Sequence, residues 1–202
     1  TAAFGLPLIQ QLMGVGAKPQ PRTARALILA PTRELVNQIA TSLRAFTRPT
    51  HLRVTDVVGG ASIHIQSKNL ERGADILVAT PGRLLDLIER KAVSLRETRY
   101  LVLDEADQML DLGFIHPLRK IAGMVGKPRQ TLLFSATMPK QIAELSAAFL
   151  TDPVRVQVSP PGRAADKVRQ SVHLLPQRAK LDKLKECLAD TPDGLSLVFA
   201  RT

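Results

Sequence analysis

Tryptophan is missing from this 202-residue sequence, tyrosine occurs once and aromatic residues make up only 3%. A platform of stacked rings for reading nucleobases is therefore improbable as a mode of recognition. Cysteine is equally scarce. Cys187 is the only one, which excludes an internal disulfide framework or a cysteine-built zinc site and suits a reducing, cytoplasmic setting. The four histidines, His51, His64, His116 and His173, show no metal-ligand spacing. No apolar run approaches the roughly 18 residues of a membrane-spanning helix, and the start does not resemble a signal peptide, so no membrane partner is expected. Negative charge is also in short supply: 18 Asp and Glu stand against 28 Lys and Arg, a formal net charge of +10. A polyanionic partner follows, although basic charge alone would equally suit an anionic membrane surface.

What is present is a core. Hydrophobic residues reach 45%, enough for one full domain and part of another. Short Leu, Ile and Val-rich runs recur at 24–31, 53–60, 75–82, 100–105 and 130–137, each reading as a strand buried on both faces. Helical periodicity lies between them, notably over 32–46, 82–91 and 139–150. Strand alternating with helix predicts a parallel α/β sheet with helices on both sides. Each strand ends in a tag: "PTRE" (31–34), "GG" (59–60), "TPGR" (80–83), "DEAD" (104–107) and "SAT" (135–137). All the tags are predicted to gather on one rim of the sheet, outside the carboxyl ends of the strands, where ligands of such sheets bind.

The acids of "DEAD" follow directly on the apolar run Leu101-Val102-Leu103. Carboxylates are rarely buried unless paired or metal-bound, so this cluster should lie where the strand leaves the sheet. There one acid can hold Mg²⁺ through water while its neighbour orients an attacking water. A helix N-terminus, which favours Asp and Glu through its dipole, is the plainer explanation. "PTRE", "GG" and "TPGR" offer backbone amides, small residues, hydroxyls and arginines, which are groups for phosphates and 2′-hydroxyls and poor ones for base edges. Arg33 and Arg83 stand at helix starts, where positive charge is disfavoured unless an anion is bound.

In this order and spacing the tags, with "DLGF" (111–114) and "LVFART" (197–202), resemble the DEAD-box ATP-dependent RNA helicases. "AAFGLPLIQQL" and "LDLGFIHPLRKI" are similar to the bacterial RhlE-type branch. The resemblance implies an RNA helicase with RNA-stimulated ATP hydrolysis and with ATP and Mg²⁺ as cofactors, which opens short duplexes locally. It implies that Asp104 holds the water shell of Mg²⁺ and Glu105 handles the hydrolytic water, the two catalytic acids. It implies that Asp107 bonds to Ser135, Ala136 and Thr137 and couples nucleotide state to domain closure. Pro31, Thr32, Arg33, Gly60, Thr80, Pro81, Gly82 and Arg83 are assigned by it to sequence-nonspecific RNA backbone contacts, and helix 82–91 to bending the bound strand. Ribosome-assembly and RNA-decay proteins are the candidate protein partners for such a helicase.

The start departs most from that pattern. Thr1 reads as the final Thr of a Walker A loop, a hydroxyl ligand of Mg²⁺, with the loop's glycines, its lysine and the preceding strand absent. The domain layout expected is an incomplete N-terminal RecA-like ATP-binding domain over 1–158, a linker over 159–166 and the opening of a C-terminal RecA-like domain over 167–202. Within it, 151–158 is predicted as a last edge strand, 167–175 and 195–202 as strands, and 177–190 as an amphipathic helix. Such a fragment is expected to be inactive alone. Two alternatives remain open at this point: another P-loop ATPase such as a transporter motor, against which the lack of "LSGGQ" argues, and an RNA clamp or scaffold independent of ATP.

Overall fold

The computed structural model describes residues 1–157, 171–190 and 194–200. They fall into two compact units, parted between Gly162 and Arg163. The linker expected at 159–166 lies outside the described residues.

In the first unit five strands form one parallel sheet in the order β2-β3-β1-β4-β5. These are β1 (Ala24–Leu29), β2 (Val54–Val57), β3 (Ala74–Ala79), β4 (Tyr100–Leu103) and β5 (Gln130–Leu133). Side chains alternate across the sheet, so Ala26 and Ile28 of β1 pack on one face with Ile76, Val78 and Val102, and Leu27 and Leu29 on the other with Leu77, Leu101 and Leu103. The first face is covered by α1 (Ala2–Met13) and α2 (Arg33–Thr47) through Phe4, Leu8, Ile39 and Leu43. The second is covered by α4 (Pro81–Glu89), α5 (Ala106–Asp111), α6 (Ile115–Met124) and α7 (Lys140–Phe149). Helix α3 (Ile63–Leu70) packs along β2. Of these, α1, α3, α5 and α6 were not among the periodic segments noted above: α3 and α5 are short, and α1 and α6 carry Pro7 and Pro117.

Burial on both faces holds for β1 and β3 but not for the outer strands. β2 alternates buried with half-buried residues, and β5 is exposed to half-buried, because each has a neighbour on one side only. The edge strand expected at 151–158 is not formed in its described part: residues 151–157 pair with no strand, and Val154 and Val156 are exposed. An alternating pattern makes a strand only beside a partner. Here an open groove of about 930 Å³, lined by residues of 127–134 and 147–156, runs along the outer side of β5 instead.

The second unit holds a 3₁₀ turn, Gln177–Ala179, and α8 (Lys180–Ala189), on which Lys183 Nζ donates to Glu186 Oε1 at 2.6 Å. The described parts of the strands expected at 167–175 and 195–202 are not strands: 171–175 and 195–200 carry no ladder, with Leu174 94% and Phe199 87% exposed. Apolar runs of that length form strands only against a sheet, and one helix offers none.

Candidate nucleotide and RNA site

The register of the sheet is level at its carboxyl ends. Val57 of β2 pairs with Ala79 of β3, Ala79 with Leu29 of β1, Leu29 with Leu103 of β4, and Leu103 with Leu133 of β5. Each of these five residues is the last of its strand, so the five tags leave the sheet from one straight row. Across the rim they stand in the order Gly59-Gly60, Thr80 to Arg83, Pro31 to Arg33, Asp104 to Asp107, and Ser135 to Thr137.

On the acidic side the chain leaving β4 is pinned on both flanks. Asp104 N donates to Leu29 O at 2.9 Å, and Ala106 N to Phe134 O at 3.0 Å. Between them Glu105 takes a left-handed backbone, φ 51° and ψ 55°, which costs a residue with a Cβ about 1–3 kcal/mol. The kink separates the acids: Asp104 is half-buried and Glu105 exposed. Burial pushes the Asp104 carboxyl above the ordinary aspartate range, against the opposing pull of the Glu105 N–H. Thr1 is the N-cap of α1, whose first turn reaches the same rim. Helix α1 is held there by the Phe4 ring, 5.4 Å from that of Phe134.

Asp107 has a different setting. Its Oδ2 accepts from Thr137 N at 2.9 Å and from Thr137 Oγ1 at 2.8 Å, and its own N–H donates to Ser135 Oγ at 3.3 Å. Ser135 Oγ in turn donates to Thr137 O at 2.7 Å, while Ala136 between them is exposed. Burial acts upward on the Asp107 carboxyl, but the bonds from Thr137, Ser135 and Gln108 together hold it below the ordinary aspartate value of 3.8. With the folded pKa depressed, the bond between Asp107 on α5 and Thr137 beyond β5 is fully present above the unfolded value and is lost as pH falls through the lower folded value. Exchange protection of the Thr137 amide is expected to persist below pH 3.8 before it collapses. Protection in Asp107→Asn should show no such acid step, and an identical step would exclude Asp107 as its source.

Among the described residues no Lys or Arg forms an ion pair with Asp104, Glu105 or Asp107, and no cluster of three or more His, Cys, Asp or Glu could hold a metal by itself. The donor set nevertheless fits Mg²⁺ on a nucleotide. A half-buried carboxylate without a basic partner calls for a cation, and Mg²⁺ is commonly held by one or two protein oxygens, waters and substrate phosphates.

On the other side, Thr32 and Thr80 are the N-caps of α2 and α4. Thr32 accepts from Leu35 N at 3.2 Å, whereas Thr80 makes no side-chain cap bond. Pro31 and Pro81 are buried and fix the chain entering each helix. Arg33 is exposed, and its guanidinium lies over the Gly59-Gly60 turn. Gly60 has φ +77°, and a Cβ there would collide with that guanidinium. Arg83 Nη1 donates to Ala61 O at 2.8 Å, just beyond the same turn. Gly82 has nothing within 4 Å of a built Cβ, so its small size answers no need of the fold itself.

One residue of this site was missed in the sequence. Gln66 of α3 is buried and bonded on both sides to the backbone of Val58, at the foot of the glycine turn. The available signal was an amide on an apolar face, since Ile63, Gln66 and Leu70 are spaced i, i+3, i+7.

A level parallel sheet of this order, with acids and helix N-termini on one rim, is a RecA-like α/β domain. Residues 1–145 match the DEAD/DEAH box helicase family. The chain is 45% identical to a DEAD-box ATP-dependent RNA helicase 24 of Oryza sativa subsp. japonica, covering 99% of this chain and 26% of that protein. It is 41% identical to the DEAD-box ATP-dependent RNA helicase CshA of Streptococcus pneumoniae, covering 100% of this chain and 38% of that one. The crystal structure of the yeast DEAD-box splicing factor Prp28 superposes with a TM-score of 0.72 at 34% identity, over 93% of this chain and 45% of that chain. The chain belongs to the DEAD/DEAH box helicase family, and it spans about a quarter to two fifths of the length of these curated relatives.

Proposed function

We propose that the chain supplies the RNA-gripping face and the hydrolytic acids of an ATP-dependent RNA helicase, one that binds RNA backbone without sequence preference and opens short duplexes locally. The observation that carries this is the sorting of groups along the level rim. Hydroxyls, glycines and arginines leave β2, β3 and β1, where phosphates and 2′-hydroxyls would bind. Carboxylates and the hydroxyls bonded to them leave β4 and β5. Asp104, through water, and the Thr1 hydroxyl would hold Mg²⁺, which when bound offsets charge on the phosphates of ATP and orients them. Glu105, exposed beside Asp104, takes the proton of the attacking water. Asp107, Ser135 and Thr137 tie that strand to its neighbour, so a change at the acids is passed on to β5.

Four further readings belong to this proposal. The 1–158, 159–166 and 167–202 layout is supported by the parting of the compact units near residue 162. Placement in the bacterial RhlE-like branch is supported by the two segments quoted above. Cytoplasmic localisation is supported by the single cysteine, and RNA-decay or ribosome-assembly partners by the RNA-binding reading alone.

Gly82→Ala tests the RNA half. Ala at the second position of α4 meets open space and is a better helix former than Gly, so stability should hold or rise by up to about 1 kcal/mol. The methyl group stands where the RNA backbone would approach. RNA affinity in the whole protein should fall about tenfold with a melting temperature no lower than that of wild type. Unaltered RNA binding would remove Gly82 from the interface.

A further inference from the structure

Gln66 has no place in the chemistry described so far, yet it is 6% exposed and, among the described residues, the only amide side chain in the buried polar set. Its Oε1 accepts from Val58 N at 3.2 Å and its Nε2 donates to Val58 O at 3.0 Å. Val58 is the first residue beyond β2, where the ladder to β3 ends with the Val57–Ala79 pair and the bond from Thr80 N to Val57 O at 3.2 Å. Without Gln66 both peptide groups of Val58 would be buried and unpaired. The amide offers one acceptor and one donor, as a neighbouring strand would. In effect it extends the sheet by one residue and fixes the direction in which the chain enters Gly59 and Gly60. That turn is where the Arg33 guanidinium rests and where Ala61 O receives Arg83.

We propose that Gln66 is a positioning residue for RNA binding: it touches no RNA, but its two-bond clamp on Val58 sets the Gly59-Gly60 turn, and through the turn the seats of Arg33 and Arg83 on the RNA backbone. This rests on the reading of the β2, β3 and β1 exits as the RNA face. A merely space-filling glutamine would matter to melting and not to affinity in the folded protein.

The two roles are separated by Gln66→Glu. A protonated carboxyl keeps one acceptor and one donor and can restore the clamp, whereas an ionised one cannot donate to Val58 O. Burial raises a carboxyl pKa, so the change falls above the ordinary glutamate range. The charged groups on the packed elements are His64 and Lys68 of α3, Asp56 of β2, which pairs with Arg44, and Arg33 and Arg83 beside the turn. They are common to variant and wild type, so they cancel in a ratio of affinities.

The measurement is the dissociation constant of the whole protein for labelled single-stranded RNA, variant over wild type, from about pH 5.5 to about pH 8, with far-UV circular dichroism verifying that both stay folded. The ratio is expected near one at the acid end and to reach about ten at the alkaline end. Gln66→Leu, which keeps an apolar volume and loses the clamp, should be weakened at every pH. Gly60→Ala is the control for the RNA face. If it weakens RNA binding while the Gln66→Glu ratio stays flat near one, Gln66 has no positioning role and the RNA face stands. If Gly60→Ala leaves RNA binding unchanged as well, the RNA face itself is wrongly placed.

Discussion

In the whole protein, Glu105→Gln is expected to lose ATP turnover by ~10²–10⁴, the usual worth of a general base, while ATP and RNA binding stay largely intact. The substitution keeps the volume and the backbone preference, so the left-handed kink at residue 105, with φ 51°, should persist. It removes only the carboxylate that accepts the proton. Asp104 is untouched, and with it the half-buried carboxylate that suits Mg²⁺. Steady-state hydrolysis with saturating RNA, together with nucleotide affinity, gives the readout. Turnover close to wild type would take the hydrolytic role away from Glu105, and loss of nucleotide affinity would place it in binding.

The second large effect lies at the opposite end of the sheet. Asp75 is the second residue of β3, and its Oδ1 accepts from Arg25 Nη1 at 3.0 Å and its Oδ2 from Arg53 N at 2.8 Å. The side chains of Arg25 and Asp75 are 13% and 3% exposed, and Arg25 also bonds to Ala17 O. A buried pair of this kind contributes little relative to a well-packed apolar one, but removing one member leaves a charge without compensation. Asp75→Ala should therefore destabilise the first unit by about 3–5 kcal/mol, a large part of the 5–15 kcal/mol typical of a domain. The Arg53 N–H also loses its acceptor. The denaturant midpoint should fall with the slope unchanged, and Asp75→Asn, which retains an acceptor, should fall less. A midpoint equal to wild type would mean that water replaces the carboxylate at Arg25.

Asp75 also marks what the sequence could not reveal. It reads there as the polar start of a strand, and nothing in the linear order ties it to Arg25, fifty residues earlier. The rim, by contrast, was legible, because each strand is a short apolar run and each tag follows immediately. Parallel pairing then leaves one arrangement in which the tags meet. The level register adds what no spacing gives, since loop lengths between strands do not fix which residues pair. The strands expected at 151–158, 167–175 and 195–202 failed for a related reason. Their patterns are sound, but a strand is a property of a pair, and the described residues offer none of them a partner. Gln66 escaped notice because a glutamine in "IHIQSKNL" is unremarkable until Val58 is seen beneath it. The left-handed backbone of Glu105 was equally invisible, since nothing but the fold forces a residue with a Cβ into it.

The level row of strand ends also acts as a ruler. Neighbouring strands lie ~4.8 Å apart, so the exit of β3 at Thr80 and the exit of β4 at Asp104 are separated by about 10 Å, with the chain leaving β1 between them. Residues 30–33 are thus adjacent to both sides of the rim. One residue added there would carry Thr32 and Arg33 off the row by up to ~3.3 Å, more than a hydrogen bond tolerates, and would do so toward both neighbours at once.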